Sequence, residues 1–461
     1  VHEHSRPISR FVDAHRERFL EELKQFLRIP SVSTDPERGQ DVRRAAQFVA
    51  DRLRDAGLGH VEVIPTDNHP LVYADWLHAP GKPTVLCYGH YDVQPPDPLE
   101  AWLSPPFDPV VRDGNLYARG SADDKGQMYM HIKAVETLLA LNGTLPVNLK
   151  FLIEGEEEIG GAAIAQYVAG NPAKLRADAA LVSDTALYAE NTPTLCVGLR
   201  GLIYLEVEAK GPSHDLHSGL YGGAAPNPIF GLMQLLGAAK DASGAIRIPG
   251  VYDDVDAPAP LEKESWASLP FDEDEFRRNE VGSVKLTGER GYSALERIWA
   301  RPTFEVHGVA GGFTGAGAKT VIPAAATAKV SFRLVPKQDP AKVIAAFRKF
   351  VEDNTPEGLS IEVRTLSASP AILIDTNHAA IRIAARVFSE VFGRPTVFIR
   401  DGASVPIVGD FAAHLGVPSV MMGFGLPDDG LHAPNEKFRL ENYYHGIVTV
   451  ACFLEQYGQP A

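Results

Sequence analysis

TVLCYG (84–89), VNLKFLI (147–153) and AALVS (179–183) are short apolar runs rich in β-formers, and helical patterns at 126–141 and 161–169 separate them. Strands alternating with helices imply βαβ units and a mostly parallel sheet with helices on both faces. Upstream, Phe19, Leu20, Leu23, Phe26 and Leu27 fall at helical spacing and stop before Pro30, and Val42, Ala45, Ala46, Val49, Leu53 and Ala56 repeat the pattern before Gly57. Two amphipathic helices therefore open the fold. The same texture resumes after 370, with a helix at 379–392, TVFIR (396–400), SVMMGF (419–424) and a final helix near 441–457.

Between these parts the pattern changes. LIYLEVEAKG (202–211), a Pro-flanked helix near 228–240 and an irregular Pro- and acid-rich stretch at 249–275 lead to KVSFRLVP (329–336), a helix at 341–353 and LSIEVRTL (359–366). In KVSFRL, Val330, Phe332 and Leu334 share one strand face while Lys329, Ser331 and Arg333 share the other, as in a sheet with one buried side. The expected organisation is a discontinuous α/β domain (1–204 and 369–461) interrupted by an inserted α+β domain (205–368). There is no internal repeat.

Composition sets the outer bounds. The chain has 461 residues, 45% hydrophobic and 22% charged, which excludes disorder, collagen and coiled coil and suffices for one large core or two ordinary ones. A net charge of −15 opposes binding to nucleic acid phosphates and to anionic membranes. No apolar run approaches the ~18 residues of a transmembrane helix, and VHEHSRPISR (1–10) does not resemble a signal peptide. Cys87, Cys196 and Cys452 are few, odd in number and set in apolar contexts, as suits buried thiols in a reducing compartment, so the cytoplasm is expected.

Several strands run into polar residues. TVLCYG leads to His90-Tyr91-Asp92, VNLKFLI to Glu154-Gly155-Glu156-Glu157-Glu158, and AALVS to Asp184. Arg119-Gly120-Ser121-Ala122-Asp123-Asp124-Lys125-Gly126 is an acidic turn entering a helix, and Asp428-Asp429-Gly430-Leu431-His432 follows SVMMGF. Ligands of open α/β sheets bind off the carboxyl ends of strands, so these groups should converge. Taken singly, EGEEE reads as a solvated turn and Asp-Asp-Lys-Gly as a helix cap; their coincidence at one sheet edge is the informative part. Two imidazoles with several carboxylates and no thiolate suit Zn²⁺, Mn²⁺ or Co²⁺. His90, Asp123, Glu158, Asp184 and His432 exceed the needs of one ion and suit two sharing a carboxylate. Spacing alone thus reads as a dinuclear metallohydrolase.

GHYDVQP (89–95), ARGSADDKG (118–126), EGEEEIGG (154–161), VSDT (182–185), DLHSGLYGG (215–223), GAKTVIP (317–323), FRLVP (332–336) and DDGLHAPNEK (428–437) together resemble the co-catalytic metallopeptidases. That family includes carnosinase-like dipeptidases, glutamate-releasing carboxypeptidases, aminoacylases and succinyl-diaminopimelate desuccinylases. The resemblance spans nearly the whole chain, and DLHSGLYGG and HAPNEK look most like the dipeptidase branch. It implies a zinc-exopeptidase-like catalytic domain with an inserted lid and dimerisation domain, two divalent ions per subunit with Zn²⁺ foremost, and a small peptide substrate. On this resemblance His90 and Asp184 bind one ion, Glu158 and His432 the other, and Asp123 bridges them, with a cis peptide expected at Asp123-Asp124. Asp92 matches the carboxylate that orients His90, and Glu157 the general base. Three consecutive glutamates leave that register open by one residue; the assignment taken keeps Gly160 at the family's spacing. Arg333 is expected on the substrate α-carboxylate, His217 in the neighbouring subunit's site of a homodimer, and Thr320 and Ser404 at substrate-contacting loops. The expected reaction is hydrolysis of dipeptides or short peptides. N-acyl-amino-acid deacylation is the alternative within the same chemistry, a dinuclear phosphoesterase or a catalytically dead binding protein outside it.

Overall fold

The computed structural model describes residues 6–402 and 405–459. In chain order its principal strands are β1 (His60–Ile64), β2 (Leu71–Trp76), β3 (Thr84–His90), β4 (Asn148–Glu154), β5 (Ala179–Val182) and β6 (Thr194–Leu199). Next come β7 (Gly201–Lys210), β8 (Thr303–Gly311), β9 (Ala325–Leu334) and β10 (Ser360–Ser369), then β11 (Ile372–Leu373), β12 (Val397–Asp401) and β13 (Ser419–Met421). Two compact units result. One holds the chain through Val197, Ile374–Ile399 and the part from Pro406 onward; the other holds Gly198–Leu373 and a short segment starting at Arg400.

Among the described residues, nine strands form the larger sheet in the order β1-β2-β4-β3-β5-β13-β6-β11, with β12 also paired to β6. Its centre is parallel, β4 with β3, β3 with β5 and β5 with β13. Its flanks are antiparallel, β1 with β2 and β2 with β4 on one side, β6 with β13 and β11 on the other. The central strands are buried almost throughout, as unbroken apolar runs such as TVLCYG and AALV require of strands covered on both faces. Helix Gly39–Asp55 packs on β1 and β2, Lys125–Asn142 on β3 and Ala379–Phe392 on β13. Lys125, wholly buried, donates from Nζ to the Ile29 carbonyl at 2.6 Å and so fastens the N-terminal segment beneath the Asp123 turn. Among the described residues no helix is long and apolar enough to cross a membrane. Cys87, Cys196 and Cys452 are buried.

The second unit is built on an antiparallel sheet, β8-β9-β7-β10. Alternation sorts its faces: Ile203, Leu205 and Val207 of β7 and Val330, Phe332 and Leu334 of β9 enter a core shared with helices Pro228–Ala238 and Pro340–Asn354. This unit starts and ends outside the 205–368 span read from hydrophobic texture, because β7 already begins at Gly201 while texture marks only where the pattern changes. Strand β8 was not among the expected elements. Of its residues only Phe304 is buried, since it is an edge strand, so the periodic signal of a half-buried strand is missing. Within the stretch expected to be irregular, Pro260–Ala267 is a helix, with Pro260 in its first turn and the Glu262 carboxylate accepting from the Ala259 N–H at 2.9 Å.

Phe332 anchors the second core, its ring centroid 4.8 Å from Phe304 and 5.5 Å from Phe347. Phe332→Ala should destabilise the protein by about 3–5 kcal/mol, the cost of the lost apolar burial plus a residual cavity. Chemical denaturation of the variant beside the parent measures this; a loss under about 1 kcal/mol would show that the core refills.

Candidate active site

The convergence expected at the sheet edge is present. His90 closes β3 and is fully buried; Asp184 follows β5, Asp123 precedes helix Lys125–Asn142, Glu158 lies in the turn after β4, and His432 lies in the loop after β13. His90 Nε2 is 3.1 Å from Asp123 Oδ1 and 3.9 Å from Asp184 Oδ2. His432 Nε2 is 3.0 Å from Asp123 Oδ2 and 3.4 Å from Glu158 Oε2. The ligand atoms of His90, Asp123 and Asp184 lie within 4.8 Å of one another, as do those of Asp123, Glu158 and His432. Asp123 thus belongs to both groups, one carboxylate oxygen toward each imidazole. The Asp123-Asp124 peptide is cis.

Further contacts orient these side chains. His90 Nδ1 stands 3.1 Å from the Asp92 carbonyl and 3.3 Å from Asp92 Oδ1, so the ring proton faces acceptors there and Nε2 is left for a cation. Asp92 Oδ2 accepts from the Glu158 N–H at 3.2 Å, and Gln94 donates to Glu158 Oε2 at 2.7 Å. Asp124 accepts from the His90 N–H at 3.1 Å. Within the glutamate run, Glu156 is turned away, accepting from the backbone N–H groups of His69 (2.8 Å) and Ala163 (3.3 Å). Glu157 and Glu158 are the two whose carboxyls feel the charges of His90, Asp123 and His432.

One residue of the HAPNEK loop escaped the sequence reading. Glu436, with no exposed surface, accepts from Arg119 (2.7 Å) and from the backbone N–H groups of Gly120 (2.8 Å), Ala122 (2.9 Å) and Asp123 (3.1 Å). Gln94 and Asp124 were missed too. All three lie inside motifs that were quoted, but nothing local distinguishes an orienting side chain from a solvated one.

The electrostatics bear on whether cations fit. Burial pushes Glu158 up to about 8, with Asp123 adding to the effect. Burial also takes Asp184 to about 7, Asp123 and Glu157 reinforcing it against His90, and raises Glu157. For Asp123 burial acts upward as well, but hydrogen bonds from His432 and His90 outweigh it and hold the carboxyl well below its usual range. Buried acids this close cannot all ionise unless positive charge stands among them. Two imidazoles and three carboxylates with no thiolate are a donor set for borderline-to-hard divalent ions, and the residues fit such a group.

The remaining expected positions belong to the second unit or its margin. His217 and Thr320 are neighbours on a two-stranded ribbon: His217 pairs with Val321, the Thr320 carbonyl accepts from the Ser218 N–H at 3.0 Å, and His217 Nδ1 accepts from the Gly219 N–H at 3.0 Å. Arg333 is half-buried on the polar face of β9, where it lines a cavity. Ser404 lies outside the described residues. The buried Ser183–His131 pair (2.7 Å) is no nucleophile: both are sealed from solvent, burial brings His131 down to about 3, and His131 Nδ1 meets no acid among the described residues.

Known proteins resemble this chain over nearly its whole length. The Beta-Ala-His dipeptidase of Mus musculus is 34% identical over 96% of this chain and 93% of its own length. The Cys-Gly metallodipeptidase of Saccharomyces cerevisiae is 31% identical, with 97% of each covered. The crystal structure of human carnosine dipeptidase 1 superposes with a TM-score of 0.83 at 31% identity over 99% of both chains. The profile of one peptidase family matches residues 86–456, and on that match the chain belongs to peptidase family M20/M25/M40.

Proposed function

We propose that this chain is a dinuclear metallopeptidase that hydrolyses the peptide bond of dipeptides or short peptides. The observation that carries the reading is Asp123, shared between one group with His90 and Asp184 and another with Glu158 and His432. These residues would hold the two ions. Divalent cations bound there, Zn²⁺ foremost with Mn²⁺ or Co²⁺ as substitutes, polarise a carbonyl and acidify a water toward neutral pH. Glu157, whose carboxyl burial raises above its ordinary value, takes the proton of the attacking water and returns it to the leaving amine. Asp92 fixes the His90 tautomer throughout. Arg333 offers its guanidinium fork to the substrate α-carboxylate, and Thr320 and Ser404 are further substrate contacts.

N-acyl-amino-acid deacylation would use the same groups; relatives named as dipeptidases favour the peptide bond. Metal-stripped enzyme resupplied with Zn²⁺ or Mn²⁺ should cleave dipeptides well ahead of N-acetyl and N-succinyl amino acids. The reverse order would establish the deacylase.

A homodimer formed through the second unit completes the reading. Phe230 and Met233 on helix Pro228–Ala238 and Val309 on the edge strand β8 are exposed, and an uncovered apolar edge strand is a surface for association. His217 then reaches the partner's site and donates to the carbonyl oxygen as charge develops. The buried thiols accord with a cytoplasmic enzyme.

Elemental analysis after dialysis should find about two divalent ions per chain, since five ligands exceed the three protein ligands a single catalytic zinc needs. One ion at saturating metal would end the dinuclear reading.

Glu157→Gln should retain the ions while kcat falls ~10² to 10⁴-fold, and Glu158→Gln should lower metal occupancy. Exchanged phenotypes would move the roles by one residue.

His217→Ala and Glu157→Gln should each be nearly inactive, while mixed dimers of the two recover up to about half the parental activity, because one site then has both groups intact. Active monomers, or absence of rescue after subunit exchange, would rule out donation between subunits.

A further inference from the structure

Glu157 and Glu158 are consecutive, yet they are held by different means. The Glu158 carboxylate accepts from Gln94 at 2.7 Å, and its backbone N–H donates to Asp92 at 3.2 Å. Among the described residues the Glu157 carboxylate accepts no hydrogen bond, so only the backbone of the 156–160 turn fixes where it stands. That turn is short and runs into two left-handed glycines, Gly160 and Gly161. A cavity of about 570 Å³ borders Glu156, Ile159 and Ala163, so packed side chains do not back the turn there.

Glu156 supplies the restraint that packing does not. It is 4% exposed, and among the described residues no basic side chain pairs with it. Its carboxylate instead spans two elements, Oε1 accepting from the His69 N–H at 2.8 Å and Oε2 from the Ala163 N–H at 3.3 Å. Ala163 lies in the first turn of helix Ala162–Gly170, whose N-cap, Gly161, has no side chain to offer. The carboxylate satisfies one of that helix's open N–H groups and stands at the positive end of its dipole, which offsets the cost of burying a charge. The Glu156 carbonyl accepts from the N–H groups of Ile159 (3.1 Å) and Gly161 (2.8 Å), so the anchoring residue is itself part of the turn. His69 is a firm anchor in return: its Nε2 stands 3.3 Å from the Ser33 carbonyl, and its own carbonyl accepts from Thr66 Oγ1 at 2.6 Å. The turn is thus pinned at Glu156 and again at Glu158, with Glu157 between the two pins.

We infer that Glu156 is a positioning residue, its carboxylate clamping the turn so that Glu157 meets the attacking water with its own carboxylate free. This rests on the peptidase reading and on Glu157 as its general base.

The test measures kcat and KM for dipeptide cleavage by the metal-loaded enzyme, ion content after dialysis, and amide hydrogen exchange of the metal-free protein. Glu156→Ala should lower kcat by ~10 to 100-fold with KM and ion content little changed, because a shift of about 1 Å at a catalytic group costs up to ~10²-fold. Glu156→Gln, which keeps one carbonyl oxygen for the His69 N–H, should recover part of that loss. The amides of His69 and Ala163 should exchange roughly tenfold faster in Glu156→Ala, the effect of losing a hydrogen bond to a charged acceptor. Parental kcat in both variants, or kcat and ion content falling together in both, overturns the positioning role and leaves the peptidase standing. If Glu156→Ala does not fold, Glu156→Gln decides: a lower kcat at parental KM and ion content upholds the role, and parental kcat overturns it. A parent that cleaves no dipeptide overturns the peptidase reading and this inference with it.

Discussion

The Glu436 carboxylate joins two segments more than 300 residues apart in the chain, accepting from the guanidinium of Arg119 and from three backbone N–H groups of the Asp123 turn. Its own loop carries His432, so one buried acid fixes the distance between the shared carboxylate and the imidazole of the second group. Arg119 is 1% exposed, and a buried arginine stripped of its acid is an uncompensated charge costing about 3–5 kcal/mol. Both loops therefore keep their places together or lose them together. Two left-handed residues, His432 and Asn435, show how tightly that loop is folded to bring Glu436 inward while His432 points back at Asp123.

The acids around Asp123 impose the opposite demand. Burial and mutual repulsion push Glu158 and Asp184 toward their neutral forms, whereas cation binding needs them ionised. Hydrogen bonds from Gln94 to Glu158 and from His432 and His90 to Asp123 offset part of that cost and leave the remainder to positive charge from outside the chain. The scaffold resists this repulsion because His90 and Asp184 stand at the ends of neighbouring parallel strands whose register the backbone ladder holds.

The sequence made the sheet and the convergence of the five ligand-type residues legible for a physical reason. Continuous apolar strands announce a parallel core, and polar residues just past their ends have one shared edge to occupy. Glu436, Gln94 and Asp124 stayed hidden because their partners are chosen by tertiary folding: the same side chains in solvent would read identically. Strand β8 was missed for a related reason, since an edge strand that buries only Phe304 shows no alternation. The split of EGEEE is set by the αL glycines Gly160 and Gly161, which turn the chain so that Glu156 faces the backbone of His69 and Ala163.

The position of β13 has a temporal consequence. It is the last strand of the large sheet in chain order, yet it sits inside that sheet, between β5 and β6. During synthesis the ribosome releases β1 to β6, then all of Gly198–Leu373, before Ser419–Met421 emerges. The inserted unit, continuous apart from one short segment, has most of its contacts available early, whereas the larger sheet waits with a slot at its centre. His432 and Glu436 arrive later still, so the strand ends that carry His90 and Asp184 can be laid down well before the Asp123 turn is fixed. The cluster that shares Asp123 is thereby completed only in a chain translated past Glu436.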